Sequence, residues 1–306
     1  MVNSTFQTCQ SLLARWGEDV LTGNPPLRYS VGVGAINQFE LRPRTITLLG
    51  GSPAAGKTAF TVQAVFDALR LNSDLRATIA NVEMSPQQLL ERYLARLTGI
   101  DGRDIRERVR SEATIERMQR SLETIAGIAE RLAFVSPPFS MHNIAEAATE
   151  FGADLILIDY IQRIRPANAS GDQRSSVNSI MHDLRRFTQA GVAVIAVAAV
   201  SRTKDKAGRT SYDGGGLNLA SFRESSELEF GADDAYILVT DESVQNGIRL
   251  KHLKSRYGAQ HDILLSFDRA CQRFTDPVPL TPPITSLPTI LASTPAAAAP
   301  AAEAAP

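Results

Sequence analysis

The sequence predicts an α/β fold with a mostly parallel central sheet, helices on its faces, and an antiparallel extension near the C-terminal end. Three observations support this prediction. Short apolar runs alternate with helical stretches between residues 44 and 275, a glycine-rich loop joins the first run to the first helix, and closely spaced strand candidates follow Ala232. Alternating strands and helices are typical of βαβ units, which build parallel sheets.

The alternating region supplies the elements in order. Five nearly continuous apolar runs predict strands that are covered on both faces: Thr45–Leu49, Ala77–Val82, Leu132–Val135, Leu155–Asp159 and Val192–Val197. Helical stretches separate most of them: Lys57–Leu71, Pro86–Leu97, His142–Phe151 and Ser176–Gln189. Three further strand candidates, joined by short turns, predict the antiparallel extension: Tyr236–Thr240, Ile248–Leu253 and Asp262–Phe267.

The composition is that of an ordinary globular protein. The 306 residues are 43% hydrophobic and 21% charged, which excludes wholesale disorder, collagen and coiled coil. A net charge of -1 argues against a protein that coats nucleic acid by bulk charge, but leaves local basic patches possible. Cys9 and Cys271 lie far apart and support neither a disulfide framework nor a zinc cluster. Without a secretory signal or a membrane-spanning apolar run, we expect a cytoplasmic protein with no membrane partner.

The two ends of the chain differ from the central region. The segment 6–21 predicts an amphipathic helix whose apolar stripe must pack on its own domain or on a neighbour's: Phe6, Cys9, Leu12, Leu13, Trp16 and Val20. Residues 276–306 hold eight of the sixteen prolines and almost no charge, which predicts a disordered tail. A passive extension is favoured over a partner-docking polyproline II segment. We therefore divide the chain into a linker or docking helix (1–30), a central α/β domain (31–275) and a tail (276–306).

The strongest functional signal is a phosphate-binding loop. The octapeptide Gly51-Ser52-Pro53-Ala54-Ala55-Gly56-Lys57-Thr58 matches G-x-x-x-x-G-K-[ST] without a mismatch, between a predicted strand and a predicted helix. In such a loop the backbone N–H groups and the helix N-terminus face the phosphates, and the lysine supplies a positive charge. We expect Thr58 to place its hydroxyl on Mg²⁺ and include Ala59 among the nucleotide-binding residues. ATP and Mg²⁺ are the predicted cofactors.

Two acidic residues end predicted strands and are candidates for the same site. Asp159 follows four apolar residues at the carboxyl end of its strand, where open α/β sheets build their sites, and we interpret it as the Walker-B magnesium ligand rather than a strand-end cap. Glu83 ends the strand that follows the first helix and precedes a helix start at Ser85-Pro86. From spacing alone, Glu83 is equally a water-orienting carboxylate or an acid favoured by the helix dipole.

These segments, in order and spacing, resemble a known family. The loop Gly51–Thr58, the segment Asn81-Val82-Glu83-Met84-Ser85 and the segment Ile158-Asp159-Tyr160-Ile161-Gln162 are similar to the RecA-like ATPase domain of DnaB-family replicative helicases. Further on, Phe222-Arg223-Glu224-Ser225 with Glu229 and Ala232-Asp233 resembles that family's fourth motif, and Lys254-Ser255-Arg256-Tyr257-Gly258 its K-x-R-x-G finger segment. The resemblance covers roughly residues 7–275 and implies a RecA-like P-loop NTPase fold.

The resemblance implies roles for particular residues. Glu83 would be the general base or water-orienting carboxylate, and Lys254 and Arg256 would reach the γ-phosphate in the next subunit as an arginine finger does. A finger supplied in trans implies a ring, expected to be a homo-hexamer, in which the helix 6–21 docks on the adjacent subunit. The alternative for Lys254 and Arg256 is a solvated edge-strand face.

Basic residues on predicted loops are candidates for contact with single-stranded DNA. They lie after the Walker-B strand, in the segment 201–216 and in the fourth motif: Arg163, Arg165, Arg202, Lys204, Lys206, Arg209 and Arg223. Basic side chains on loops suit sequence-independent contact with phosphates, although a charge cluster in a loop is ordinarily solvated surface. The family resemblance favours the DNA-binding interpretation.

Two departures from the family pattern qualify the expected activity. Ala199 occupies the position where the family usually has a glutamine that senses the γ-phosphate, and alanine cannot make that hydrogen bond. The globular N-terminal domain that replicative helicases use for primase contact has no counterpart in the sequence. We therefore expect a plasmid, phage or accessory DNA helicase or translocase, with a replication or accessory protein as a possible partner of the tail. The alternatives are a RecA-, KaiC- or RadA-like ATP-driven switch, and a module that binds ATP with negligible hydrolysis.

Overall fold

A nine-stranded sheet forms the centre of the computed structural model, which describes residues 8–23, 25–166, 173–200, 203–204, 210–211, 217–222 and 226–280. The strands are β1 Ile46–Gly51, β2 Ala77–Asn81, β3 Leu132–Phe134, β4 Leu155–Asp159, β5 Ala193–Val197, β6 Thr203–Lys204, β7 Thr210–Ser211, β8 Asp234–Asp241, β9 Val244–Gln245, β10 Gly247–Ser255, β11 Ile263–Asp268, β12 Arg273–Thr275 and β13 Val278–Pro279. The helices are α1 Cys9–Thr22, α2 Lys57–Leu71, α3 Pro86–Thr98, α4 Gly102–Arg106, α5 Glu112–Ala126, α6 Met141–Phe151, α7 Gln173–Gln189 and α8 Ser226–Gly231. None of these helices is long and apolar enough to cross a membrane.

The strand order in the main sheet is β12-β11-β10-β8-β1-β5-β4-β2-β3. The six strands from β8 to β3 are parallel, and β10, β11 and β12 continue the sheet in antiparallel order. The predicted fold class, a mostly parallel sheet with an antiparallel C-terminal extension, is therefore confirmed. The first of the three late strand candidates belongs to the parallel part, because β8 pairs in parallel with β1.

Helices cover both faces of the sheet and create two apolar cores. Successive side chains of a strand point to opposite faces, so Leu49 and Leu157 join the core beneath α2, whereas Leu48 and Ile158 join the core beneath α6 and α7. Every residue of the predicted central strands β1, β4 and β5 is buried, which explains why their sequences are continuous apolar runs rather than alternating ones.

The α3 helix shows how the sequence positions the site at its N-terminal end. Ser85 is the N-cap and accepts a hydrogen bond from the Gln88 N–H, while the Gln88 side chain accepts one from the Ser85 N–H. This capping box and Pro86 at the first turn fix where the helix begins. The turn that carries Glu83 is therefore held between the end of β2 and a firmly defined helix start.

The C-terminal boundary of the domain lies further along the chain than the sequence predicts. Asp276 accepts a hydrogen bond from the Ala35 N–H at 2.6 Å, and β13 pairs antiparallel with β9. The predicted boundary at residue 276 is therefore wrong, because the chain as far as β13 is part of the folded domain. The remainder of the predicted tail, 281–306, lies outside the described residues.

The predicted N-terminal helix forms as α1, with Thr8 as its N-cap and Gly23 in the left-handed conformation at its end. Its apolar side chains are not buried against their own domain: Leu12, Leu13, Trp16 and Val20 are 51%, 54%, 61% and 56% exposed. Phe6, the first residue of the predicted stripe, lies outside the described residues. The first of the two sequence-based alternatives, packing on its own domain, is therefore wrong for this helix.

Candidate nucleotide-binding site

The loop between β1 and α2 has the backbone geometry that its sequence predicts. Gly56 adopts a φ of 94°, and a Cβ at this position would lie 2.9 Å from the Phe267 ring, so both conformation and space require glycine. The loop leads directly into α2, whose first residue is Lys57. The N–H groups of the first helical turn, which lack partners within the helix, therefore face the concave side of the loop.

Lys57 lies inside this loop. Its Nζ donates hydrogen bonds to the carbonyl oxygens of Gly51 and Ser52, each at 2.9 Å. Burial lowers the pKa of Lys57, and the negative charges of Asp159 and Glu83 oppose that shift. The structure therefore brings the loop lysine within electrostatic reach of both predicted carboxylates.

Thr58 and Asp159 form an oxygen pair that suits a magnesium ion. The Thr58 hydroxyl donates to Asp159 Oδ2 at 2.6 Å, and Asp159 is only 4% exposed. Burial raises the pKa of Asp159, whereas the Thr58 hydrogen bond, the Lys57 charge and the Asn81 hydrogen bond lower it. No cluster of three or more His, Cys, Asp or Glu side chains that could enclose a metal occurs among the described residues. Mg²⁺ suits such a site, since it is bound through few protein oxygens together with phosphates and water.

The predicted site residues converge on one cleft of about 720 Å³ at the carboxyl ends of the parallel strands. Glu83 also lines it, and its side chain is exposed. The predicted residues that line the cleft are Gly51, Pro53, Ala54, Gly56, Lys57, Thr58, Ala59, Glu83 and Asp159. Of the remaining loop residues, Ala55 is buried and Ser52 contributes the carbonyl oxygen that Lys57 contacts.

Three polar side chains from α3 and the antiparallel extension also line the cleft and were not predicted. Arg92 enters it from α3, where burial lowers its pKa and the charge of Asp159 opposes that shift. Arg269 and Gln272 enter from the turn between β11 and β12, and Arg269 donates a hydrogen bond to the Ala54 carbonyl oxygen at 2.8 Å. The sequence carries no signal for these residues, because only the tertiary fold brings α3 and the antiparallel extension beside the loop.

Ala199 also lines the cleft, two residues after the end of β5. Its N–H donates to the side-chain oxygen of Gln162 at 3.1 Å, and the Gln162 amide donates to the Ala199 carbonyl oxygen at 3.4 Å. The end of β5 is therefore tied to the segment that follows β4. The Ala199 side chain itself offers no hydrogen-bonding group to the cleft.

Comparison with known proteins decides the family. The profile of the DnaB-like helicase C-terminal domain matches residues 38–276, which is most of the chain. The chain belongs to the DnaB-like helicase family. The predicted resemblance to this family is therefore confirmed.

The curated relatives match this chain at low sequence identity. A probable plasmid replicative DNA helicase of Chlamydia trachomatis serovar L2 is 24% identical over 234 residues, covering 74% of this chain and 50% of the relative. The replicative DNA helicase DnaB of Rickettsia bellii is 27% identical over 224 residues, covering 67% of this chain and 43% of the relative. The chain therefore spans about half the length of the curated relatives it matches.

Two solved structures share the fold. One, described as an ATPase domain, superimposes with a TM-score of 0.76 at 20% identity, covering 89% of this chain and 99% of that one. The structure of a DnaB-like replicative helicase, described with its interactions with primase, gives a TM-score of 0.77 at 20% identity, covering 88% and 68% of the two chains. The three chains thus share one RecA-like fold.

The predicted finger residues of this DnaB-like domain lie apart from its own cleft. Arg256 forms an ion pair with Asp233 at 2.9 Å, and Arg256 and Lys254 both donate to the Phe230 carbonyl oxygen, at 3.3 and 3.0 Å. The register of β10 shifts between His252 and Lys254. Neither Lys254 nor Arg256 lines the cleft that holds Lys57.

Asp233 organises the base of this finger. Its side chain is fully buried, and its carboxylate accepts a hydrogen bond from the Ile46 N–H at 2.8 Å at the start of β1. Arg185 of α7 forms a second ion pair with it at 2.9 Å. Two arginines and one backbone N–H therefore share a single buried carboxylate.

The predicted DNA-binding residues are only partly described. Arg163 and Arg165 follow β4 and are exposed. The Arg163 Nε donates to the Tyr160 hydroxyl at 2.8 Å, and this hydrogen bond raises the pKa of the Arg163 guanidinium. The backbone of Lys204 belongs to β6, which pairs with β7. The other four candidates lie outside the described residues: Arg202, Lys206, Arg209 and Arg223.

Proposed function

We propose that this chain is an Mg²⁺-dependent ATPase that assembles into a ring and moves along single-stranded DNA as a DnaB-like helicase or translocase. The observation that carries the proposal is the convergence of Lys57, Thr58, Asp159 and Glu83 on one cleft. Family membership supplies the reaction class. The roles assigned to individual residues are supported by their positions in or near the cleft and by the family resemblance.

The proposed roles follow from the position of each side chain. The loop Gly51–Thr58 and Ala59 bind the phosphates through backbone N–H groups, and Lys57 neutralises phosphate charge. Thr58 and Asp159 hold Mg²⁺, which supplies charge neutralisation and orientation of the phosphate oxygens when it is bound. Glu83, which is exposed and lines the same cleft, orients the water that attacks the γ-phosphate.

Assembly into a homo-hexameric ring would complete the site. Lys254 and Arg256 lie outside their own cleft, as residues that act on a neighbour's nucleotide must. The exposed apolar face of α1 offers a surface that an adjacent subunit could cover. A group supplied in trans makes hydrolysis depend on assembly, since a monomer then lacks part of its transition-state stabilisation.

Single-stranded DNA is the proposed partner of the basic loops. Arg163 and Arg165 are exposed beyond the carboxyl end of β4 and can contact phosphates without reading sequence. We assign the same role to Arg202, Lys204, Lys206, Arg209 and Arg223. The plasmid helicase among the relatives supports a plasmid, phage or accessory type, and a replication protein is the proposed partner of the tail.

A second candidate function is an ATP-driven switch without unwinding activity. The Ala199 side chain, which lines the cleft without a hydrogen-bonding group, favours it. A protein that lacks this contact with the γ-phosphate could hydrolyse ATP without coupling hydrolysis to movement along DNA. A module that binds ATP with negligible hydrolysis is the remaining alternative.

One set of ATPase assays separates these functions. The rate is measured with and without single-stranded DNA for the parent, for Arg256→Ala and for Arg120→Ala, an exposed arginine of α5 that serves as the matched control. Strong stimulation by DNA that is lost in Arg256→Ala but kept in Arg120→Ala supports the helicase proposal. Hydrolysis indifferent to DNA indicates the switch, and ATP binding without hydrolysis indicates the binding module.

A further inference from the structure

Asn81 lies at the end of β2 between the two carboxylates of the cleft. It is 6% exposed, and it is the register partner of Asp159 in the pairing of β2 with β4. Asn81 begins one of the segments that resemble the family, but no role was predicted for its side chain. The carboxamide is buried and polar, so its hydrogen bonds determine what it can do.

The amide nitrogen of Asn81 fixes the magnesium-binding carboxylate. Nδ2 donates to Asp159 Oδ2 at 3.0 Å, the same oxygen that accepts the Thr58 hydroxyl at 2.6 Å. Two donors from different elements, β2 and α2, therefore hold one carboxylate oxygen. Such supporting hydrogen bonds orient a metal ligand and limit its movement.

The carbonyl oxygen of Asn81 fixes the backbone that carries Glu83. Oδ1 accepts hydrogen bonds from the Glu83 N–H at 3.0 Å and from the Met84 N–H at 2.8 Å. Asparagine forms this type of local turn readily, because its side chain can replace a backbone acceptor. The direction in which Glu83 leaves the strand is set by these two bonds.

We infer that Asn81 is a positioning residue that couples Asp159 to Glu83 through the two ends of one carboxamide. The inference rests on the proposed ATPase function and deepens it. Both a donor and an acceptor are required at this point: aspartate would lack the donor, and serine would be too short to reach Asp159 while still able to accept from the turn. Asn81 acts through Asp159 and Glu83 and needs no contact with nucleotide.

Two substitutions at Asn81 distinguish the role of its amide nitrogen from that of its carbonyl oxygen. Asn81→Ala removes both, and we expect kcat to fall about 10- to 100-fold while the Kd for a fluorescent ATP analogue changes less than about threefold. Asn81→Ser keeps an acceptor for the turn but loses the bond to Asp159. We expect both variants to need a higher Mg²⁺ concentration for half-saturation of nucleotide binding. Asn81→Ser should recover part of the kcat that Asn81→Ala loses.

The matched control is Asn72→Ala. The Asn72 amide donates to the carbonyl oxygens of Ser30 and Ala68 and contacts neither Asp159 nor Glu83. We expect this substitution to lower Tm without changing kcat or the Mg²⁺ half-saturation. A purely structural role for Asn81 would give its variants that same pattern, and this result would overturn the inference.

Binding measurements keep the inference separate from the proposed function. Mg²⁺ half-saturation of nucleotide binding is measured with the ATP analogue on full-length protein, and Tm reports folding. If the parent binds Mg²⁺ and ATP but does not hydrolyse ATP, the proposed function fails, while a raised half-saturation in Asn81→Ser still supports the contact with Asp159. An unchanged half-saturation in folded Asn81→Ser and Asn81→Ala contradicts the inference whether or not the parent hydrolyses ATP.

Discussion

At the scale of single residues, Asp159 occupies an environment that disfavours its charge. Burial raises its pKa, and the contacts with Thr58, Lys57 and Asn81 offset this only in part. A carboxyl whose pKa is higher in the folded than in the unfolded state contributes stability below its unfolded pKa, and that contribution is lost as the pH rises through the folded pKa. At neutral pH the ionised carboxylate therefore reduces the stability of the fold, as is common for groups retained for ligand binding.

Replacement of Asp159 should separate stability from binding. We expect Asp159→Asn to increase the free energy of unfolding at neutral pH by about 0.5–2 kcal/mol, because a neutral amide can still accept from Thr58 and Asn81. The same substitution should abolish the dependence of nucleotide binding on Mg²⁺. Denaturant unfolding at pH 7.5 and pH 4.5 measures the change in stability. Nucleotide titrations without Mg²⁺ and with excess Mg²⁺ measure the change in binding.

The pH dependence provides the internal check on Asp159→Asn. The gain in stability should shrink at the lower pH, where the parent carboxyl becomes protonated. Asp74→Asn, at an exposed turn position, is the matched control and should change neither stability nor binding. A loss of stability in Asp159→Asn at pH 7.5 would show that the ionised carboxylate stabilises the fold.

The site residues that could be predicted from the sequence are those that lie at strand ends or in a contiguous motif. Lys57 and Thr58 belong to the loop motif, and Asp159 and Glu83 follow or end apolar runs, so the sheet alone brings them together. Arg92 has no comparable signal. It lies on α3 together with Arg96, and only the packing of α3 against α2 brings it to the cleft.

At the scale of elements, the buried strands were the most predictable part of the fold. Strands covered on both faces need apolar side chains at successive positions, so a short continuous apolar run is a clear signal for such a strand. The helices α4 and α5 and the strand β12 were not predicted. β12 spans only Arg273–Thr275, and α5 leaves Ile115 and Leu122 exposed, so its apolar positions carry a weak signal of burial.

The position of the domain end can be tested with two truncations. A chain that ends at Leu280 retains Asp276 and β13, and we expect its Tm and ATPase rate to equal those of the full chain. A chain that ends at Thr275 loses the Ala35 contact and the Val278 N–H bond to Ser266, and should lose about 1–2 kcal/mol of unfolding free energy. Equal stability of the two truncated chains in denaturant unfolding would place the domain end at Thr275.

At the scale of the whole molecule, α1 presents an apolar face that its own domain does not cover. Its apolar side chains are exposed, although the helix has a well-formed cap at each end. Apolar surface of this kind on a regular helix is typical of a contact with another protein. The proposed ring gives this surface an occupant, the adjacent subunit.

Substitutions on α1 should affect assembly and leave the fold intact. We expect the double variant Leu12→Ser with Trp16→Ser to sediment as a smaller species than the parent in the presence of ATP and Mg²⁺, with an unchanged Tm for the isolated subunit. The reason is that these side chains are already more than half exposed within one subunit. Gln10→Ser, on the same helix, is the control in sedimentation velocity. Identical sedimentation of the parent and both variants would show that α1 does not contribute to assembly of the ring.

The buried carboxylate of Asp233 connects the start of β1 to Arg256. It fixes the first residue of β1, the strand that ends in the phosphate loop, and it also holds the guanidinium of Arg256. A displacement of β1 on nucleotide binding would therefore shift the anchor of Arg256 within the same subunit. In the proposed ring, the nucleotide bound in one subunit would in this way change the position of the Arg256 that acts on the next subunit.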